Sequence, residues 1–552
     1  MMAVTIGAAV ALGQGMATSN RRAEARRSLP AGKVAPAIDY RDIAKEGGLT
    51  AVNISSVPKP KNYIVETTGN GVALIDYDRD GLLDILLVNA NESIDDRKPR
   101  TQTLYRNRGG LKFEDVSAQS GIPPLEWAQG VCAGDFDADG HTDLLITQWG
   151  SNVLLRNADG KFTDESAQRL PREERRWSTG CSFLDYDRDG DLDLFVAHYV
   201  RFDAKKIARP QDKNHCSWKN LPVVCGPRGL PGESMSLYRN DGGRFVDVSR
   251  EAGVETAKDY YGFTVLTADF DGDGWTDIYV ACDSVASLFF RNLKNGKFEE
   301  VGIVSGAALN EDGREQAGMG ATAGDYDGDG RLDIFKTNFT DDTPTLYRNM
   351  GGFQFQDVTA AAGLAVNTKL LGWGAAFLDA DRDGAKDLFY ANGHVYPEVD
   401  QAKLSESFRQ DRAFFWNRGD RQFHEMSGSA GPGVTERHAS RGLAVGDLDN
   451  DGSLEIVIVN MHEGPSLLKN FAPQGNWLMV DAPIGAQVRV TVGGRTQLEE
   501  IRSGGFHISQ GDFRAHFGLG PASKARVQIR WPNGEQTDLG EVAAGQVLKP
   551  RR

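Results

Sequence analysis

Short apolar runs bounded by polar turns recur along the chain, and they come in pairs. Val72-Ala73-Leu74-Ile75 leads into a polar stretch from which Ile85-Leu86-Leu87-Val88 emerges. The same exit recurs as Leu144-Leu145-Ile146, Leu194-Phe195-Val196 and Ile278-Tyr279-Val280, and the same entry as Gly442-Leu443-Ala444-Val445. Runs this short predict buried strands, not helices. A third element follows each pair: Leu104-Tyr105-Arg106-Asn107, with relatives ending at Asn157, Asn240, Asn292, Asn349, Asn417 and Asn470. A fourth, Phe113-Glu114-Asp115-Val116, has relatives at Phe162, Phe245, Phe298, Phe355 and Phe423, and predicts an outer hairpin with the third. After Asn470 the fourth element is missing, and Tyr40-Arg41-Asp42-Ile43 supplies its like at the start. The N-terminal segment is therefore expected to complete the last unit and clasp a ring, since closure removes unpaired edges. The pattern predicts an all-β fold, a seven-bladed β-propeller.

The polar stretches share one grammar: DYDRDGLLD, DFDADGHTD, DYDRDGDLD, DFDGDGWTD, DYDGDGRLD, DADRDGAKD and DLDNDGSLE. They begin 59, 50, 84, 56, 54 and 68 residues apart, spacings that fit four short strands plus variable loops. Calcium takes 6–8 oxygen ligands, and carboxylates at positions 1, 3 and 5 of a tight loop converge on one ion. Glycine at position 6 permits the fold-back, position 7 offers its carbonyl, and a carboxylate at position 9 closes the shell. The expected ligands are Asp76, Asp78, Asp80 and Asp84; Asp135, Asp137, Asp139 and Asp143; Asp185, Asp187, Asp189 and Asp193; Asp269, Asp271, Asp273 and Asp277. The remaining three loops supply Asp325, Asp327, Asp329 and Asp333; Asp379, Asp381, Asp383 and Asp387; Asp447, Asp449, Asp451 and Glu455. Up to seven Ca2+ ions are expected.

The expected ligands are 28 of the 77 acidic residues, so the net charge of −15 reads as metal ligand more than as a steering surface. That acidity argues against nucleic acid or anionic membrane as the main partner. Residues 1–35 read as a signal-like or disordered segment: Met1 to Ala17 is apolar and uncharged, with Gly15-Met16-Ala17 a candidate cleavage region, though no basic stretch precedes it. No other stretch approaches a membrane span. Cys216 and Cys225, nine apart in a Pro/Gly-rich insert, are expected to pair in an oxidising compartment. Cys132, Cys181 and Cys282 lie in apolar strands and read as buried thiols.

The loops resemble the FG-GAP (VCBS-type) repeats of integrin alpha-subunit propellers, and the arrangement resembles the cartilage acidic protein family, whose propeller is followed by an ASPIC/UnbV domain. The tail carries that domain's pattern in Gly485-Ala486-Gln487-Val488, Ser509-Gln510-Gly511-Asp512, His516-Phe517-Gly518-Leu519-Gly520 and Ile529-Arg530-Trp531-Pro532-Asn533-Gly534. The resemblance implies a propeller over 36–475 and a small β-domain over 476–552, in a secreted, periplasmic or surface protein.

The metal loops define one rim of the ring, so the loops entering each inner strand lie on the other. Eight residues before each first Asp stand Thr68, Trp127, Trp177, Tyr261, Ala317, Leu371 and Ala439, with Glu66, Glu315, Trp373, His438 and Arg441 nearby. Five residues after each closing carboxylate stand Asn89, Gln148, His198, Cys282, Asn338, Asn392 and Asn460. Inserts 199–235 and 393–412 leave the same rim, bring His394 with them, and are expected to overhang the opening as lids. Aromatic walls with inward polar groups are the usual content of a ligand pocket. The opposing reading is that the strand-end amides satisfy turns and the tryptophans wedge between sheets.

No nucleophile elbow, zinc-protease helix, phosphate loop or dinucleotide fingerprint is present in the sequence. The leading expectation is a calcium-binding extracytoplasmic module that recognises a protein or glycan through the rim opposite the metals. The alternative is an enzyme, of natural-product biosynthesis by the UnbV association, whose site holds a small molecule in the central pocket beneath the inserts.

Overall fold

The computed structural model describes residues 16–551 except 20, 57, 59, 95–97, 173 and 403. The signal-like run to Gly15 therefore lies outside the described residues. Among the described residues the chain is nearly all β; five four-stranded antiparallel sheets each carry one repeat, and the second and third repeats, four strands each, are joined into one eight-stranded sheet where Trp177 pairs with Trp149. The first runs Val72–Ile75, Asp84–Leu87, Thr103–Asn107 and Phe113–Asp115 from inside to outside. The innermost strands of the others are Ala128–Gly134, Arg176–Leu184, Gly262–Ala268, Gly318–Gly324, Gly372–Leu378 and Ser440–Gly446. Each touches the innermost strands on either side, and the last touches the first, which closes the ring. The last sheet takes its outer strand from the N-terminal side: Tyr40 pairs with Asn470 and Asp42 with Leu468. The expected clasp is formed.

Residues 16–19 and 21–38 also lie on the ring. Ala17 N–H donates to Ser284 Oγ (2.9 Å), Arg21 N–H to the Asp341 carbonyl (3.1 Å) and Glu24 N–H to the Ala365 carbonyl (2.7 Å).

The C-terminal segment forms two further sheets, one built on Asn476–Val480 and Ala515–Gly520, the other on Gln487–Val492 and Lys524–Arg530. They enclose a separate core that includes Val488, Phe517, Val527 and Trp531. Between strands Arg495–Glu500 and Ala515–Gly520 the chain leaves this domain and runs into the bore of the ring. Ala375 N–H donates to the Phe506 carbonyl, Val131 N–H to that of Ile508, and Leu74 N–H to that of Gln510 (3.0–3.1 Å). Glycine makes the room: a Cβ on Gly71 would lie 2.0 Å from the Ile508 carbonyl oxygen. Five consecutive residues of this plug, Gly504 to Ile508, have positive φ. For Phe506, His507 and Ile508 that is a strained backbone, held by the surrounding strands.

Two disulfides are formed. Cys216–Cys225 staples the first insert as expected. Cys132 and Cys181, expected as free thiols, instead bond across the inner strands of the second and third sheets, with Cα atoms 5.7 Å apart. Strands 49 residues apart in sequence are neighbours in the ring, which the strand pattern alone did not expose. Cys282 is free and buried. No helix among the described residues is long and apolar enough to cross a membrane.

Candidate functional site

Each acidic loop joins an innermost strand to the second strand of its sheet. The position 6 glycines all have positive φ, from 80° at Gly452 to 98° at Gly190. In six of the seven loops their N–H donates to the position 1 carboxylate, as Gly81 does to Asp76 (3.0 Å) and Gly140 to Asp135 (2.8 Å). The chain enters the left-handed region at position 4 as well, through Arg79, Ala138, Arg188, Arg382 and Asn450 among others. The sequence reading did not anticipate that second turn.

Carboxylates from positions 1, 3 and 9 come together: Asp76, Asp78 and Asp84 each place an oxygen within 4.8 Å of the others, and so do Asp135, Asp137 and Asp143, Asp185, Asp187 and Asp193, and Asp325, Asp327 and Asp333. In the fourth loop the group is Asp269, Asp271 and Asp273. The position 5 carboxylates cap the turn, as Asp80 Oδ1 does by accepting the Leu82 N–H (3.0 Å). The closing residue is a buried bracket. Asp84 accepts N–H bonds from Tyr77 (3.2 Å) and Asn107 (2.7 Å), and Asp143 accepts them from Phe136 and Asn157. Burial, reinforced by neighbouring Asp, raises the pKa of Asp84 and Asp143 to about 8 and of Asp193 to about 9. Burial also raises Asp185 and Asp325 to about 6 and drives Asp277, Asp333, Asp387 and Glu455 well above the ordinary range.

Asp76 Oδ1, Asp78 Oδ1, Asp137 Oδ1, Asp185 Oδ1, Asp269 Oδ1, Asp327 Oδ1 and Asp449 Oδ1 are buried without a hydrogen-bond partner. Orphaned carboxylate oxygens gathered on one point fit a hard divalent cation with an all-oxygen shell.

The third repeated element contributes a residue the sequence reading missed. In five sheets its basic side chain lies on the loop carboxylates: Arg106 on Asp78, Arg156 on Asp137, Arg348 on Asp327 and Lys469 on Asp449, each at 2.6 Å, and Arg291 on Asp271 at 2.9 Å; in the third sheet Arg239 pairs with Asp241 instead. Trp416 takes that place in the sixth sheet. The C-terminal domain rests on this same rim. Arg530 pairs with Asp269, Arg514 donates to the Asp447 carbonyl (2.6 Å), and Gly475 N–H to the Asp381 carbonyl (3.1 Å).

The opposite rim is closed. The inserts 199–235 and 393–412 meet over it as the lid reading expected, and Lys219 Nζ reaches Glu406 (2.7 Å) between them. Beneath lies one apolar cluster containing Trp127, Trp177, Tyr261, Trp373, Tyr199 and Tyr396. Trp127 and Trp177 stand 5.9 Å apart, the second stacked on Trp149, which Phe202 of the first insert meets edge-on. Arg441 is fully buried over Trp373 (4.1 Å) and donates to the carbonyls of Thr67, Gly393, His394 and Ser440. Against Trp373 from the bore stands His507 of the plug (5.0 Å), a rim residue that reading one domain at a time did not find.

Other candidates serve the framework. Glu66 accepts two backbone N–H bonds from Asn62 and Tyr63. Buried His198 lies between the Ser178 and Ser236 hydroxyls, its pKa pulled well below 6.5 by burial and then by Arg176. Tyr261 donates to the Leu230 carbonyl, Asn338 to that of Thr343 and Asn392 to that of Asp411 (2.7–2.8 Å). His394 Nδ1 accepts the Tyr396 N–H (3.0 Å). Glu315 and His438 stay outside the buried cluster, paired with Arg228 and Glu463. The bore itself is filled by the plug, so it is not an open central pocket.

Comparison with known proteins agrees with this geometry. The FG-GAP-like repeat profile matches residues 76–146, 135–196, 223–280 and 269–336, and the ASPIC and UnbV profile matches 481–551. Cartilage acidic protein 1 of Homo sapiens is 25% identical over 527 residues, 90% of this chain and 74% of its own length. That of Xenopus tropicalis is 23% identical, covering 92% and 68%. Among solved structures, an Agrocybe aegerita lectin recognising non-reducing terminal N-acetylglucosamine aligns with a TM-score of 0.34 and 16% identity, covering 65% of this chain and 82% of its own. Trypanosoma rangeli sialidase with sialic acid aligns at 0.37 and 10%, covering 79% and 59%. Likeness at these scores carries no argument about function.

Proposed function

We propose that this chain, an FG-GAP repeat protein ending in an ASPIC and UnbV domain and related over most of its length to cartilage acidic protein 1, is a calcium-stabilised extracytoplasmic binding module. The observation that carries the calcium reading is the set of buried, unpartnered carboxylate oxygens in the loops. Two disulfides support an oxidising compartment. The recognition surface is the outward face of the lidded rim, and the partner is a protein or glycan bearing acidic groups. In a chain of net charge −15, the first insert carries seven basic residues against three acidic ones. Of these Arg201, Lys205, Lys206, Lys213 and Lys219 are exposed. A basic patch on an acidic protein is a means of choosing and steering an acidic partner.

The reading is tested by metal analysis of the purified protein and by melting with and without EDTA. Several calcium ions per chain and a large fall in Tm on chelation are expected, and an unchanged Tm would refute it. Binding to a sulfated-glycan column that survives in wild type and is lost in a Lys205→Ser, Lys206→Ser, Lys213→Ser variant checks the surface.

A second reading, an enzyme working beneath the inserts, is favoured by one observation. Trp127 Nε1, Trp177 Nε1 and Gln129 Nε2 are buried there without partners. A substrate-sized molecule in density against those three atoms would support it, and ordered water alone would remove it.

A further inference from the structure

At the fourth position of the strand that follows each acidic loop, six sheets place Leu87, Ile146, Val196, Val280, Tyr390 and Ile458, and the fifth places Lys336. Six repeats are built without a lysine there, so the repeat does not require one. Lys336 has no solvent exposure, and its ammonium has no hydrogen-bond partner. An unpaired buried charge is costly enough that proteins almost always supply a partner or neutralise the group.

The surroundings define what that partner is. Lys336 lies opposite Thr345 in the ladder, and Tyr347 shares its face two residues on, with the ammonium 5.7 Å from the Tyr347 ring centre. The stem runs under Gly318, where a Cβ would come within 2.8 Å of Lys336 Cδ and 3.0 Å of the Cys282 carbonyl. This places the group in the seam between the fourth and fifth sheets. Three more polar groups there are buried and unpartnered: Tyr347 Oη, Ser287 Oγ and Gln316 Nε2. The Gln316 amide oxygen accepts the Thr345 hydroxyl (2.8 Å), which leaves its NH2 free. These four orphans donate or are able to donate: an ammonium, a phenol, an alcohol and an amide. The orphaned acceptor beside them, Asn338 Oδ1, whose NH2 is held by Thr345, is neutral, so what is missing is a negative charge.

The nearest acids do not fill the gap. Asp342 accepts from Ser19 and from the Thr343 N–H. The Cys282 thiol is pushed up to about 12 by burial and is neutral. Burial lowers the Lys336 pKa to about 8, with Asp342 the largest opposing charge, so the amine is still cationic near neutrality.

We propose that the seam between the fourth and fifth sheets holds one small monoanion, of halide size, on Lys336 Nζ with the hydroxyls of Tyr347 and Ser287 and the Gln316 amide. Enclosure by two sheets limits the ligand to a monatomic or similarly compact ion. The site is independent of the calcium loops and of the lid surface, so its failure and theirs are separately visible.

The probe is bromide, which takes the same donors as chloride and is located by its anomalous scattering. Crystals of the full-length, calcium-loaded protein grown in sodium bromide are expected to show one anomalous peak in contact with Lys336 Nζ. Water alone on that nitrogen at saturating bromide overturns the proposal. In solution, wild-type Tm is expected to rise by several degrees when sodium chloride replaces sodium gluconate at equal ionic strength. Lys336→Met, which keeps the volume and removes the charge, is expected to lose that difference. An equal rise in both proteins overturns the proposal. Tyr347→Phe, which deletes one hydroxyl without emptying the seam, is expected to weaken bromide binding roughly tenfold, as the loss of one hydrogen bond to a charged group does, and unchanged binding counts against the site as drawn.

Discussion

Asp283 lies under the lids, fully buried, accepting the Tyr199 hydroxyl (2.8 Å) and the Ser284 hydroxyl (2.8 Å). Burial raises its pKa from the ordinary 3.8 to about 6, the two hydroxyl bonds opposing the rise. Between about pH 4 and 6 the native state therefore holds a proton that the unfolded chain has released, and stability falls as pH rises through that window. The cost at neutral pH is on the order of 2–3 kcal/mol. Asp283→Asn keeps an acceptor for Tyr199 and removes the titration. Its urea midpoint is expected to match wild type near pH 4 and exceed it at pH 7; a constant difference across pH would contradict the assignment. At Gly71 the constraint is steric: Gly71→Ala drives a methyl into the Ile508 carbonyl and is expected to cost about 1–3 kcal/mol in the same assay. Neither residue announced its role in the sequence. What constrains them comes from 84 residues away in one case and from the far domain in the other.

The elements divide along the same line. Loops and strands were legible because their causes are local: ligand spacing, a glycine at the sharp bend, apolar pairs on either side. The two lids were legible as insertions against a regular repeat, although their work, burying Trp127, Trp177 and Trp373 under a second layer, was not. The Cys132–Cys181 bond was hidden because it crosses between sheets. By the chain-entropy argument a closed loop of this length contributes about 4 kcal/mol, against less for the nine-residue Cys216–Cys225 loop. The Cys132→Ala, Cys181→Ala double variant is thus expected to lose more in thermal melting than the Cys216→Ala, Cys225→Ala variant, and the reverse order would place the stress on the lid. The basic residue of the third element had a visible signal, arginine or lysine before asparagine in six of seven copies, but in five of them its partners are loop carboxylates about 20 residues upstream in the sequence.

For the whole molecule the decisive contacts join the ring to the domain that follows it. The plug bonds to inner strands of the first, second, sixth and seventh sheets, and the domain rests on several metal loops. Ring and domain are expected to melt as one transition in calorimetry, and a chain ended at residue 475 is expected to be soluble only transiently and readily proteolysed. Two separated transitions, or a stable truncated ring, would mean that the plug only decorates a finished structure. The order in which the chain is made gives the plug another meaning. Residues 502–514 leave the ribosome after every sheet of the ring has been synthesised, so throughout translation the bore lacks the peptide around which its inner strands are spaced. A chain that cannot finish until its last tenth is free stays open for the duration of its synthesis. If the chain is exported, as the extracytoplasmic reading proposed above requires, that delay is a safeguard written into the topology.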